Sequence, residues 1–291
     1  MRTSELFQRK TVFSFEVFPP KKTASIDTIY NALQKMRGLS PDFISVTYGA
    51  AGSAGDLTVK IASDIRTRYG LESVAHLPCI NFTRENVLEV LKTLKQSGIE
   101  NILALRGDIS PDSAPQTDFK HASDLIAFIK ENGNFNVIGA CYPEGHPESG
   151  GLVRDIQNLK IKVDAGTDQL ISQLFFDNSC FYSFLERTEI AGIHVPIQAG
   201  IMPVTNKKQI ERMVSLCGAA LPKKFETIME KYGSDPAAMR DAGIAYAIDQ
   251  IVDLIAQGVD GIHLYTMNNS YVASKISEAV SSLLKANQIS A

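Results

Sequence analysis

A single glutamate interrupts the apolar run TVFSFEVFPPKK at residues 11–22. An ionised carboxylate is costly to bury unpaired, so Glu16 between Phe15 and Val17 needs a purpose. Strand alternation puts Phe13, Phe15 and Val17 on one face and Ser14 and Glu16 on the other, and Pro19-Pro20 ends the strand just beyond the carboxylate. Other apolar runs also end in polar side chains: Thr47 and Tyr48 after FISV, His76 in SVAHLPC, Arg106 and Asp108 in ALRGD, Tyr142 after NVIGAC, and Gln173 in SQLFFD. Glu16 admits two readings, a structural carboxylate paired with a residue such as Arg106, or a functional group. The polar company at the other strand ends favours the second.

Further candidates carry their own bland alternatives. Asp155, Asn158 and Lys162 are spaced three and four apart on one helix face; they are either solvated or aimed at a ribose or phosphate. His76 alone reads as a hydrogen-bonded core histidine, and Asp108 as a turn residue, although the long loop that follows argues for function. His146 and Glu148 in YPEGHPE imitate a zinc-deaminase pair but lack the PCxxC partner, so no metal is expected. GAAGSAG at 49–55 matches neither GxGxxG nor the phosphate-loop pattern, so a dinucleotide would have to bind by other means.

These positions need a frame that gathers strand ends. Eight strand-like runs occur, at 12–18, 43–48, 73–79, 101–106, 136–142, 169–176, 195–202 and 261–266. Between them lie helical patterns such as SIDTIYNALQKMRG, TRENVLEVLKTLKQSG and LVRDIQNLKIKVDAG, several closed by glycine. Alternating strands and helices imply a parallel sheet, and eight units favour an α/β fold of the closed (β/α)8 TIM-barrel type above a doubly wound sheet. LPKKFETIMEKYG and PAAMRDAGIAYAIDQIVDLIAQG predict extra helices between the seventh and eighth strands, and YVASKISEAVSSLLKA a closing helix. With no low-complexity segment or linker, residues 1–291 read as one domain.

Composition narrows the partners. The 291 residues are 44% hydrophobic with a formal net charge of −3, and no basic block suggests nucleic acid or an acidic membrane. No run reaches membrane-spanning length and MRTSELFQRK lacks a signal-peptide core, so a cytoplasmic protein acting on a small molecule is expected. Cys79, Cys141, Cys180 and Cys217 form no CxxC pair, which argues against a disulfide framework or a structural zinc site.

The ordered set SFEVFPPK, SVTYGA, ALRGD, YPEGHPE, NLKIKVDAG and QLFFD resembles the methylenetetrahydrofolate reductase family of the short bacterial type, from about residue 12 to 268. The resemblance implies a flavoprotein barrel that uses FAD, with NADH or NADPH as co-substrate, to reduce 5,10-methylenetetrahydrofolate to 5-methyltetrahydrofolate in a ping-pong cycle serving methionine synthesis. It makes Glu16 the general acid. Thr47, Tyr48, His76, Arg106, Gly107, Asp108, His121, Ala122, Tyr142, His146, Asp155, Asn158 and Lys162 become FAD-binding positions. Glu16, Thr47, Asp108, Gln173 and Gln209 become substrate contacts, with Asp108 also catalytic by stabilising developing positive charge. Ile161, His121, Asn269 and Met213 depart from the family pattern, which bears on flavin affinity and folate contacts. A homo-oligomer is expected. A Schiff-base aldolase is disfavoured because no strand ends in lysine; a flavin subunit fed by a partner protein stays open.

Overall fold

The computed structural model describes residues 1–20, 24–48, 54–107 and 118–288. Eight parallel strands, β1 (Val12–Val17), β2 (Phe43–Val46), β3 (Glu72–Pro78), β4 (Asn101–Leu105), β5 (Asn136–Cys141), β6 (Gln169–Ser172), β7 (Ile197–Ile201) and β8 (Gly261–Tyr265), form a closed barrel in sequence order. The helices are α1 (Asp27–Arg37), α2 (Ala54–Tyr69), α3 (Arg84–Gln96), α4 (Ala122–Asn132), α5 (Leu152–Asp164) and α6 (Asn178–Ile190), then α7 (Lys207–Cys217), α8 (Lys223–Tyr232), α9 (Pro236–Ala256) and α10 (Ser270–Ala286). The additional helices expected before the last strand are present.

Strand parity decides what lies inside the barrel. Phe13, Phe15 and Val17 point outward into the large core shared with the helices, whereas Val12 joins Phe43, Val74, Leu103, Ile138 and Ile171 in an inner apolar cluster. Ser14 and Glu16 alternate with that outer set and therefore follow Val12 inward. A short 3-10 helix, Thr3–Gln8, closes the floor. Leu6 packs on the inner cluster, and Thr3 Oγ1 donates to Gln169 Oε1 at 2.9 Å while its N–H donates to Asn101 Oδ1 at 2.9 Å. The open end of the barrel is thus the opposite one, where the strands finish.

Local chemistry sets the helix starts. Thr83 accepts from Asn86 N–H at the head of α3, and Asp235 accepts from Ala237 and Ala238 N–H with Pro236 opening α9. One expectation is corrected: the run 169–176 is strand only to Ser172. Its later apolar residues serve helix packing, with Phe175 stacked on Phe181 at 4.9 Å and Phe176 on Phe225 at 5.6 Å between ring centroids.

Candidate active site

Glu16 sits at the open end of β1 with its carboxylate enclosed by barrel-interior side chains. It is buried, as are His76 on β3 and His263 on β8. Glu16 Oε2 lies 3.5 Å from His76 Nε2 and 3.6 Å from His263 Nε2. His263 is tied down on its other side, where Nδ1 is 2.7 Å from Ser14 Oγ, and Gln198 Nε2 donates to the same serine oxygen at 2.9 Å. Thr266 Oγ1 donates to the Glu16 carbonyl at 2.6 Å, fixing the backbone beneath the carboxylate.

Burial dominates the electrostatics of His76. It lowers the His76 imidazole from 6.5 to about 4, against the opposing pull of Glu16 and with help from His263, so His76 is neutral near pH 7. His76 Nε2 has no hydrogen-bond partner within the described residues. Tyr265, next inward residue on β8, donates to the Ser172 carbonyl at 2.7 Å; burial and the Glu16 charge hold its hydroxyl well above the ordinary tyrosine range.

A second group forms a cavity of about 330 Å³ over the ends of β4 and β5 and the inner face of α5. Its lining includes Arg106, His121, Ala122, Tyr142, His146, Asp155, Asn158 and Lys162, all singled out from sequence. Lys162 donates from Nζ to the Ala140 carbonyl at 2.7 Å, and burial lowers its pKa against the opposing effects of Cys141 and Asp155. The Tyr142 and His146 rings meet edge to face at 4.7 Å between centroids. Arg106 pairs through both terminal nitrogens with Glu148, at 2.5 and 3.1 Å. Exposed Ile161 also lines this space.

The remaining candidates are distributed around the mouth. Thr47 and Tyr48 are half-buried beyond β2, with Tyr48 edge-on to Phe82 at 5.7 Å. Gln173 follows β6, its Oε1 accepting from Leu174 N–H at 2.9 Å, and Gln209 lies in the first turn of α7. Gly107 holds a φ of +86°, and an added Cβ would stand 2.8 Å from Ile80 Cγ2. Asp108 lies outside the described residues. Asn269 caps α10 by accepting from Val272 N–H, and Met213 packs with the cluster around Phe225. His263 and Gln198 escaped the sequence reading; parity along GIHLYT and VPIQAGIM was the available signal.

A closed parallel barrel with a carboxylate and two histidines inside its strand-end mouth, and a polar cavity alongside, defines an α/β-barrel enzyme of small-molecule chemistry. The model of the methylenetetrahydrofolate reductase family matches residues 2–281, and the chain belongs to that family. It is 37% identical over 263 residues to 5,10-methylenetetrahydrofolate reductase of Pectobacterium carotovorum subsp. carotovorum, covering 90% of this chain and 88% of the relative. The Escherichia coli (strain K12) enzyme of the same name is 36% identical over 263 residues, with the same coverage of both chains. A solved structure of an uncharacterised Clostridium thermocellum protein, described as binding two copies of 5-methyl-5,6,7,8-tetrahydrofolic acid, superposes with a TM-score of 0.66. It covers 97% of this chain and 99% of its own, and at 12% identity it supports the fold alone. The chain is a methylenetetrahydrofolate reductase, a folate-binding enzyme that reduces methylenetetrahydrofolate to methyltetrahydrofolate. Among the described residues no helix is long and apolar enough to cross a membrane.

Proposed function

We propose that the reduction uses FAD and a nicotinamide, with Glu16 as the proton donor to the folate. The observation that carries this reading is the buried Glu16 carboxylate at the strand-end mouth, flanked by His76 and His263. The family is generally FAD-dependent, and the donor set beside the mouth suits a dinucleotide. Arg106 and Lys162 offer cationic donors for phosphate, Asp155 and Asn158 suit ribose hydroxyls, and the buried His76 Nε2 offers an unpartnered polar atom. When bound, FAD supplies the hydride chemistry, taking hydride from NADH or NADPH and giving it to the folate.

The protein's own part follows from the carbon–nitrogen bond that must break. Opening the methylene bridge leaves an electron pair on N10, which needs a proton, and the bridge carbon becomes a cation able to accept hydride. Glu16 donates that proton, directly or through water. Gln173 and Gln209 orient the folate by hydrogen bonds, and Asp108 is the carboxylate that stabilises the cation. Neutral His76 places no competing positive charge beside it. The barrel and its helices run through all the described segments, which supports reading the chain as one catalytic domain.

Absorbance of the purified chain tests this reading. A flavin spectrum is expected, bleached anaerobically by NADH or NADPH, with FAD released on heating. A chain that bleaches only when a partner protein is added would make it a flavin subunit, and a colourless chain that takes up no added FAD contradicts the reading.

A further inference from the structure

The cavity beside the barrel mouth sets carboxylates beside the basic side chains that would receive a phosphate. Its described lining contains two basic side chains, Arg106 and the buried Lys162, and two carboxylates, Glu148 and Asp155. Glu148 takes both terminal nitrogens of Arg106, the geometry in which a guanidinium recognises a phosphate or carboxylate. An internal carboxylate therefore sits where an anionic ligand would find its strongest donors.

We propose that Glu148 is a built-in competitor for Arg106, displaced when the pyrophosphate of a flavin dinucleotide enters, so that it limits how tightly the cofactor is held. The inference rests on the FAD reading given above. The pair is placed for exchange: the Glu148 side chain is 60% exposed and that of Arg106 26%. Ion pairs with so much solvent contact are weak and readily exchanged. The loop backbone need not move, because Glu148 N–H donates to His146 Nδ1 at 3.1 Å and Ser149 N–H to the His146 carbonyl at 2.9 Å. Release of Arg106 is then a side-chain rotation about a fixed backbone. Arg106 Nε also donates to the Gly107 carbonyl at 3.3 Å, which keeps the guanidinium near the cavity once Glu148 leaves.

The test is titration of flavin-free protein with FAD, followed by flavin fluorescence, for wild type, Glu148→Gln and Glu148→Ala. Both substitutions should tighten FAD by about two- to fivefold, the range open to one weak competing ion pair. In an Arg106→Gln background, Glu148→Gln should give no gain. Glu148 variants that bind FAD as wild type does, or more weakly, would overturn the inference and make Glu148 a support for Arg106, with the FAD reading intact. If neither wild type nor the variants bind FAD, the FAD reading itself fails and the inference with it. Thermal unfolding of each flavin-free variant checks that it is folded, and the second substitution serves where the first is not.

Discussion

Glu16 and His263 meet across the seam where β1 and β8 close the barrel, with Oε2 of one 3.6 Å from Nε2 of the other. The register that permits this pairs Ser14 with His263 and Glu16 with Tyr265. Ser14, Glu16, His263 and Tyr265 all point inward, so a single two-residue repeat on each strand builds a polar group inside the barrel at this seam.

His76 should leave a signature in stability. Its folded-state pKa, lowered to about 4 by burial, lies below the ordinary 6.5, so the unfolded chain takes the proton first as pH falls. This contribution is intact above about pH 6.5 and is lost progressively towards pH 4. Between pH 7 and 5 it amounts to about 2 kcal/mol. Urea unfolding at the two pH values should show wild type losing more stability than His76→Gln by roughly that amount. An equal loss in both would mean that His76 does not titrate as its burial between Glu16 and His263 implies.

Lys162→Ala should weaken FAD by about 10- to 100-fold, the range for a hydrogen bond to a charged group. Catalysis at saturating FAD should stay near wild type. Equilibrium dialysis with FAD measures the first effect. An unchanged dissociation constant would show that Lys162 serves only the Ala140 carbonyl it contacts.

Gly107→Ala should destabilise the fold by about 1–3 kcal/mol, since the φ of +86° disfavours a side chain and the new Cβ would also stand 3.0 Å from Pro78 Cβ. Denaturant unfolding reads this out. Wild-type stability in the variant would mean that the turn after β4 relaxes without cost.

The sequence disclosed the barrel because eight apolar runs alternate with amphipathic helices, and it disclosed the direction of Glu16 because Phe13, Phe15 and Val17 define the opposite face. The cavity candidates were legible through helical spacing and motif order. His263 was not, although its strand was recognised: nothing local says that its ring lies against Glu16, since that contact depends on barrel closure between the first and last strands. Glu148 was weighed only as half of a zinc-deaminase-like pair with His146, because its partner Arg106 belongs to a different strand end. The tail of β6 was over-extended because buried phenylalanines look alike in a strand and beneath a helix.

The general-acid assignment is tested most directly by Glu16→Gln in stopped-flow measurements of the two half-reactions, with FAD bound. Reduction of the oxidised enzyme by NADH involves no leaving nitrogen and should stay within about tenfold of wild type. Reoxidation of photoreduced enzyme by methylenetetrahydrofolate should fall by about 100- to 10,000-fold, the usual cost of removing a general acid. Equal slowing of both halves would contradict the assignment and make Glu16 a structural support held between His76 and His263.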